Sequence, residues 1–274
     1  MKISVLGCGW LGFPLAQQLL RLNHTVKGSS TTKSKLSILS QAEIESYQII
    51  LPDDLDNNEL DSFWDSDVLF LNIPPSRKNN DVMDHYPNLI KQIKTKVEES
   101  SIKWVVFASS TSVYSNENGL IEEQDALFGE TSRDSGEAIL RAEYILMENA
   151  SFHATVVRFG GLYGYNRHPV RYLAGKKNLK EATKPVNLIH QDDCVKIITS
   201  IIEQDKKDEI YNAVSDGHPP RRTFYRSAAK HFELEPPEFI EGQSSNGERI
   251  ISNKKIKKEL NYRFIYPNPL DHTA

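Results

Sequence analysis

A chain of 274 residues with 39% hydrophobic content can bury one large core without splitting into independent domains. Its net charge of -4 at pH 7 and pI near 6.1 leave no field for nucleic acid or anionic lipid, and two cysteines suggest neither a disulfide framework nor a metal site. The expectation is a cytoplasmic protein, monomer or homodimer, that handles a small-molecule substrate and uses no nucleic acid, membrane or metal.

Lys2 to Leu6 reads as a short apolar-rich strand that runs into Gly7-Cys8-Gly9-Trp10-Leu11-Gly12. In this G-x-G-x-x-G spacing the first glycine makes a tight turn, the second lets phosphates approach the backbone, and the third lets the next helix pack closely. The helical pattern Leu11, Leu15, Ala16, Leu19, Leu20 follows, with Pro14 in the first turn, and then Asn23-His24 breaks before a second strand at Thr25-Val26. A helix start aims free amides and the positive end of its dipole at an anion. Gly7, Gly9, Trp10, Leu11 and Gly12 are therefore expected to cradle a dinucleotide pyrophosphate.

An NAD site usually carries an acid near the end of the second strand, to accept from the ribose 2'-hydroxyl. Here the first acidic residue is Glu43, and the strand tip reads Lys27-Gly28-Ser29-Ser30-Thr31-Thr32-Lys33-Ser34-Lys35. Hydroxyls and ammonium groups suit a 2'-phosphate, so NADP is expected rather than NAD, with Ser29, Ser30, Thr31 and Lys33 as contacts. Lys35 reads as surface loop.

Tyr47 to Leu51 is expected as a third strand. Asp67 to Ile73 reads as a buried one, placing Ile73 and Pro74 beside the cofactor. A helix from His85 to Glu99 shows Leu89, Ile90, Ile93 and Val97 on one face. Strand Trp104 to Ala108 runs into Ser109-Ser110-Thr111-Ser112-Val113-Tyr114, a helix covers about Ser135 to Asn149, and Thr155 to Phe159 forms another strand. Tyr165 to Pro185 is polar and basic. Val186 to Ile189 then read as strand, Asp192 to Glu203 as helix, and residues 215–274 hold most of the prolines. The alternation predicts an α/β fold, a doubly wound Rossmann parallel sheet, with its core at about 1–165 and 186–214. A small substrate lobe, about 166–185 and 215–274, is expected over the carboxyl edge of the sheet.

Four patches in order resemble the extended short-chain dehydrogenase/reductases of the epimerase and dehydratase type. They are the glycine turn, Ser109 to Tyr114 (like S-S-x-x-V-Y), Arg158 to Gly164 (like R-x-x-x-x-Y-G) and Ile189 to Asp193 (like I-H-x-x-D). The resemblance implies that Ser109 and Ser110 stand beside the nicotinamide, with Ser110 matching the active-site serine, and that Gly160 to Leu162 line its pocket.

That family uses a tyrosine and a lysine four residues apart on the helix after the serine strand, so that phenolate can take a substrate proton. Counting back from Ala142-Glu143, the two positions fall on Ser135 and Ile139, which can do neither job. The literal Y-x-x-x-K, Tyr172 to Lys176, lies after the Arg158 strand and reads as chance. This departure resembles the atypical YeeZ-like branch. It implies an NADP-binding oxidoreductase or epimerase/dehydratase-like protein acting on a hydroxyl or carbonyl substrate such as a nucleotide-sugar. The alternative is a catalytically silent NADP-binding sensor or interaction protein.

The remaining polar residues carry blander expectations. Glu137 and Arg141 read as a solvated helix pair, and Asp192 or Asp193 as a helix cap, with His190–Asp193 as an acid/base pair held open. Arg167 and His168 could hold an anionic substrate. Arg221, Arg222 and Arg249 read as a solvated face or a phosphate site.

Overall fold

The computed structural model describes residues 1–76, 81–240 and 248–271. Strands β1 (Lys2–Leu6), β2 (Thr25–Ser30), β3 (Glu45–Gln48), β4 (Val68–Leu71) and β5 (Trp104–Ser110) alternate with helices α1 (Gly12–Arg21), α2 (Leu36–Gln41), α3 (Asp61–Trp64) and α4 (Val82–Glu98). Then come β6 (Gly119–Ile121), α5 (Asp134–Met147), β7 (His153–Phe159), β8 (Gly161–Tyr163), β9 (Leu188–His190), α6 (Gln191–Glu203), β10 (Ile210–Ala213), α7 (Arg221–His231), β11 (Arg249–Ile251) and α8 (Lys254–Glu259).

Seven strands form one sheet in the order β10-β7-β5-β4-β1-β2-β3, and every pairing in it is parallel. The expected doubly wound fold is therefore observed. Because side chains alternate across a strand, each strand feeds two cores. Ile3, Val5, Phe70 and Val106 face α1 and α6, joining Leu15, Leu19, Ile197 and Ile201. Leu6, Leu69, Leu71, Val105 and Phe107 face α4 and α5, joining Ile90, Ile93, Ala142 and Leu146. Burying one such aliphatic side chain is worth about 1.5–3 kcal/mol, so the two layers hold the sheet from both sides.

Strand order reverses between β1 and β4, all strands staying parallel, and such a switch point is where open parallel sheets hold ligands at their carboxyl ends. The third strand runs from Glu45 to Gln48, earlier in the chain than the expected Tyr47 to Leu51. It pairs only with β2, from Lys27↔Glu45 to Ser30↔Gln48, and ends where β2 runs out. Two further two-stranded sheets, β8-β9 and β6-β11, form from segments that follow β7 and β5 in the chain, and α7 follows β10. Ile256, Leu260 and Tyr262, from α8 and just beyond it, pack into the main core beside Ile197 and Tyr211. No helix among the described residues is long and apolar enough to cross a membrane.

Candidate cofactor and substrate site

The chain leaves β1 at Gly7 with φ +106, where a side chain would be strained, and an added Cβ would lie 2.5 Å from the Asn72 carbonyl oxygen. At Gly12 an added Cβ would meet the Gly7 carbonyl oxygen at 2.2 Å, so the third glycine lets α1 press against the turn. Gly9 is different. An added Cβ there meets nothing within 4 Å, so internal packing does not require a glycine. Its backbone faces open space at the start of α1, which has no side-chain cap bond and no acid in its first turn. Free amides, the helix dipole and an open backbone fit a pyrophosphate.

Neighbours hold this turn in place. Gly7 N donates to Ser29 Oγ at 2.9 Å, Cys8 N to the Ser29 carbonyl at 2.8 Å, and Asn72 Nδ2 to the Gly7 carbonyl at 2.9 Å. From α6, Gln191 Nε2 reaches the Trp10 carbonyl at 2.5 Å. Leu11 is buried in the core and Trp10 half-buried. The Cys8 thiol is pushed up to about 12 by burial, which makes it an inert packing group. Asn72 and Gln191 were not singled out from sequence, although a polar residue ending the apolar run Val68–Leu71 was the available signal.

At the tip of β2, Ser29 is 3% exposed and its hydroxyl serves the glycine turn. Ser30 Oγ accepts from Thr32 N at 3.2 Å, while Thr31, Lys33 and Lys35 are exposed beyond the strand. Across the crevice, Ile73 is half-buried, its carbonyl accepting from Tyr86 Oη at 2.7 Å, and Pro74 is exposed.

The two serines ending β5 point to different tasks. Ser110 is half-buried and its Oγ accepts from Ser112 N at 3.1 Å, which leaves its own O–H to donate elsewhere. Ser109, 6% exposed, donates to Glu143 on α5. Glu143 receives Arg158 Nε at 3.0 and 3.1 Å and Nη2 at 2.6 Å. Arg158 Nη1 continues to Tyr114 Oη at 2.9 Å and the Glu123 carbonyl at 2.6 Å, and Tyr114 donates to Asn212 Oδ1 at 2.6 Å. Burial pushes the Tyr114 phenol up to about 12 despite the adjacent guanidinium. A buried polar chain thus anchors the end of β5 from beneath.

An added Cβ at Gly136 would lie 2.2 Å from the Ser112 carbonyl, so the start of α5 packs directly on the turn after Ser110. Ser135 there is half-buried, and Ile139 is 8% exposed within the apolar core. Tyr172 is 68% exposed and belongs to the 3-10 turn Pro169–Tyr172 beside α7. Gly160 lies against Asn187 and Val214, with 2.8 Å from an added Cβ to each, and Leu162 is half-buried against the core.

Three blander expectations change. Glu137 is not solvated: it is 7% exposed and accepts from Gly129 N at 3.0 Å, with only Arg141 facing water. The α6 cap is His190, whose Nδ1 accepts from Asp192 N at 3.2 Å; Asp193, fully buried, accepts from Tyr262 Oη, Ile265 N and Tyr266 N at 2.7–3.0 Å. Arg249 is half-buried and donates to the Ser115 and Thr111 carbonyls at 2.9 and 3.1 Å, bracketing the turn beyond Ser110. Of the two residues expected to meet an anion, His168 is buried against Phe224 and Phe232, whereas Arg167 is exposed over the Trp10 ring.

No protein-family model matches the chain. The Escherichia coli (strain K12) protein YeeZ is 32% identical over 271 residues, spanning 98% of this chain and 97% of that protein. A putative NAD-dependent epimerase/dehydratase from Methylobacillus flagellatus is 22% identical with a TM-score of 0.76, over 98% of this chain and 95% of that one. UDP-glucuronic acid 4-epimerase from Bacillus cereus, in complex with UDP-glucuronic acid and NAD, is 18% identical with a TM-score of 0.78, over 99% and 96%. At these identities the solved structures speak for the fold.

Proposed function

Since this chain belongs to the family of YeeZ, an atypical branch of the epimerase/dehydratase-like short-chain dehydrogenase/reductases, we propose that its glycine turn holds a nicotinamide dinucleotide, NADP in preference to NAD. The observation that carries this reading is Gly9, whose backbone is open where Gly7 and Gly12 are closed by packing. The acid-free stretch before Glu43 and the exposed Thr31 and Lys33 support a 2'-phosphate. Ser30 borders it, while Ser29 contributes by holding Gly7. The Bacillus cereus epimerase is bound to NAD, so the preference for NADP rests on this chain's own β2 tip.

A bound nicotinamide dinucleotide would supply hydride transfer. In this reading Ile73, Pro74, Gly160 and Leu162 shape the ring's pocket, and the fixed Ser110 hydroxyl donates to a substrate carbonyl or hydroxyl oxygen, orienting it. Substrates are hydroxyl or carbonyl compounds, nucleotide-sugars included. Neither Ser135 nor Ile139 can act as phenol or ammonium, and Tyr86, Tyr114 and Tyr163 are all buried with pKa values raised by burial. That observation favours a second reading, a silent dinucleotide-binding sensor. Turnover separates the two: with NADPH and a panel of nucleotide-sugars and small carbonyls, the enzyme reading predicts substrate conversion that Ser110→Ala lowers. Tight NADPH binding with no turnover on any compound would leave the sensor.

A further inference from the structure

We propose that Arg167 is an arm of the cofactor site that closes on the dinucleotide's pyrophosphate from the lobe side. This rests on the dinucleotide reading above and adds a residue from a separate part of the chain. Arg167 ends a tight hairpin: Gly164 N donates to the Arg167 carbonyl at 2.8 Å and Arg167 N to the Gly164 carbonyl at 2.9 Å. Gly164 at φ +134 and Tyr165 at φ 48 make the reversal. The hairpin is tied to α6, because Tyr165 Oη bonds both Asp192 carboxylate oxygens at 3.0 and 2.9 Å. Held this way, the Arg167 guanidinium lies 5.0 Å from the ring centroid of Trp10, inside the glycine motif itself. From the same α6, Gln191 grips the Trp10 carbonyl at 2.5 Å.

The guanidinium therefore borders the residue next to Gly9, whose backbone is the open face of the turn. It is solvent-exposed, and no ion pair joins it to a carboxylate among the described residues. A guanidinium stacked on an aromatic ring loses less freedom on binding, and its planar fork matches two phosphate oxygens. An anion on the α1 amides would complete its coordination, where a neutral or cationic ligand would not.

The test is calorimetric titration of the wild type, Arg167→Gln and Arg167→Lys with NADPH, NADH, ADP-ribose and UDP-glucose. Arg167→Gln is expected to weaken NADPH, NADH and ADP-ribose alike by about tenfold, with Arg167→Lys recovering part of the loss. Unchanged ADP-ribose affinity in Arg167→Gln overturns the proposal while leaving the dinucleotide reading intact. A loss confined to NADPH moves the arginine to the 2'-phosphate, and one confined to UDP-glucose moves it to a substrate diphosphate; either overturns the pyrophosphate assignment. A wild type that binds no dinucleotide overturns both readings.

Discussion

Arg158 meets Glu143 through three hydrogen bonds of 2.6, 3.0 and 3.1 Å, with each side chain 3% exposed. One partner lies on β7 and the other on α5, so the pair ties the helix that carries Ser135 to the sheet that carries Ser110. Removing one partner leaves the other as a buried, uncompensated charge. Arg158→Leu is expected to lose about 3–5 kcal/mol of stability in urea unfolding, more than the double variant Arg158→Leu/Glu143→Leu. A double variant that loses as much as Arg158→Leu and Glu143→Leu summed would mean the charges are not coupled.

Gly9 and Gly12 should separate binding from folding. Gly9→Ala adds a methyl to open space and is expected to change stability by under about 0.5 kcal/mol while weakening dinucleotide binding. Gly12→Ala places its Cβ 2.2 Å from the Gly7 carbonyl and is expected to cost about 1–3 kcal/mol in thermal unfolding. Reversed sensitivities would remove the functional reading of Gly9.

Lys33 lies exposed beyond β2 in a stretch with no acid before Glu43. Lys33→Glu would put a like charge beside a 2'-phosphate, so the ratio of NADH to NADPH dissociation constants is expected to fall by about tenfold. An unchanged ratio would take Lys33 out of the site.

Burial holds the His190 pKa below its usual 6.5, against the pull of Asp192 and Asp193. The unfolded chain then binds more protons below about pH 6.5, so stability is full above that value and falls as pH drops through it. Comparing unfolding free energies at pH 7.5 and 5.5, His190→Asn should show a smaller loss than the wild type, because asparagine keeps the α6 cap without titrating.

Those parts of the molecule governed by local pattern were legible in the sequence. The glycine spacing located the turn, and buried runs such as Val68–Leu71 located the central strands, because period and turn chemistry are local properties. What escaped depended on partners distant in sequence. Glu137 and Arg141 follow a surface i, i+4 pattern, yet the 129–131 segment folds over Glu137. Asp193 looked like a cap until residues 262–266 returned to occupy its carboxylate. Asn72 and Gln191 support the turn from 65 and 181 residues away, separations that no local periodicity reports.

We propose the turn from Gly7 to Gly12 as a dinucleotide cradle whose β2 tip selects the phosphorylated cofactor. Titrating the purified wild type with NADPH and NADH under one buffer condition tests it most directly. Saturable binding of both, tighter for NADPH, is the predicted result; tighter NADH binding would contradict the selectivity, and binding of neither would contradict the cradle.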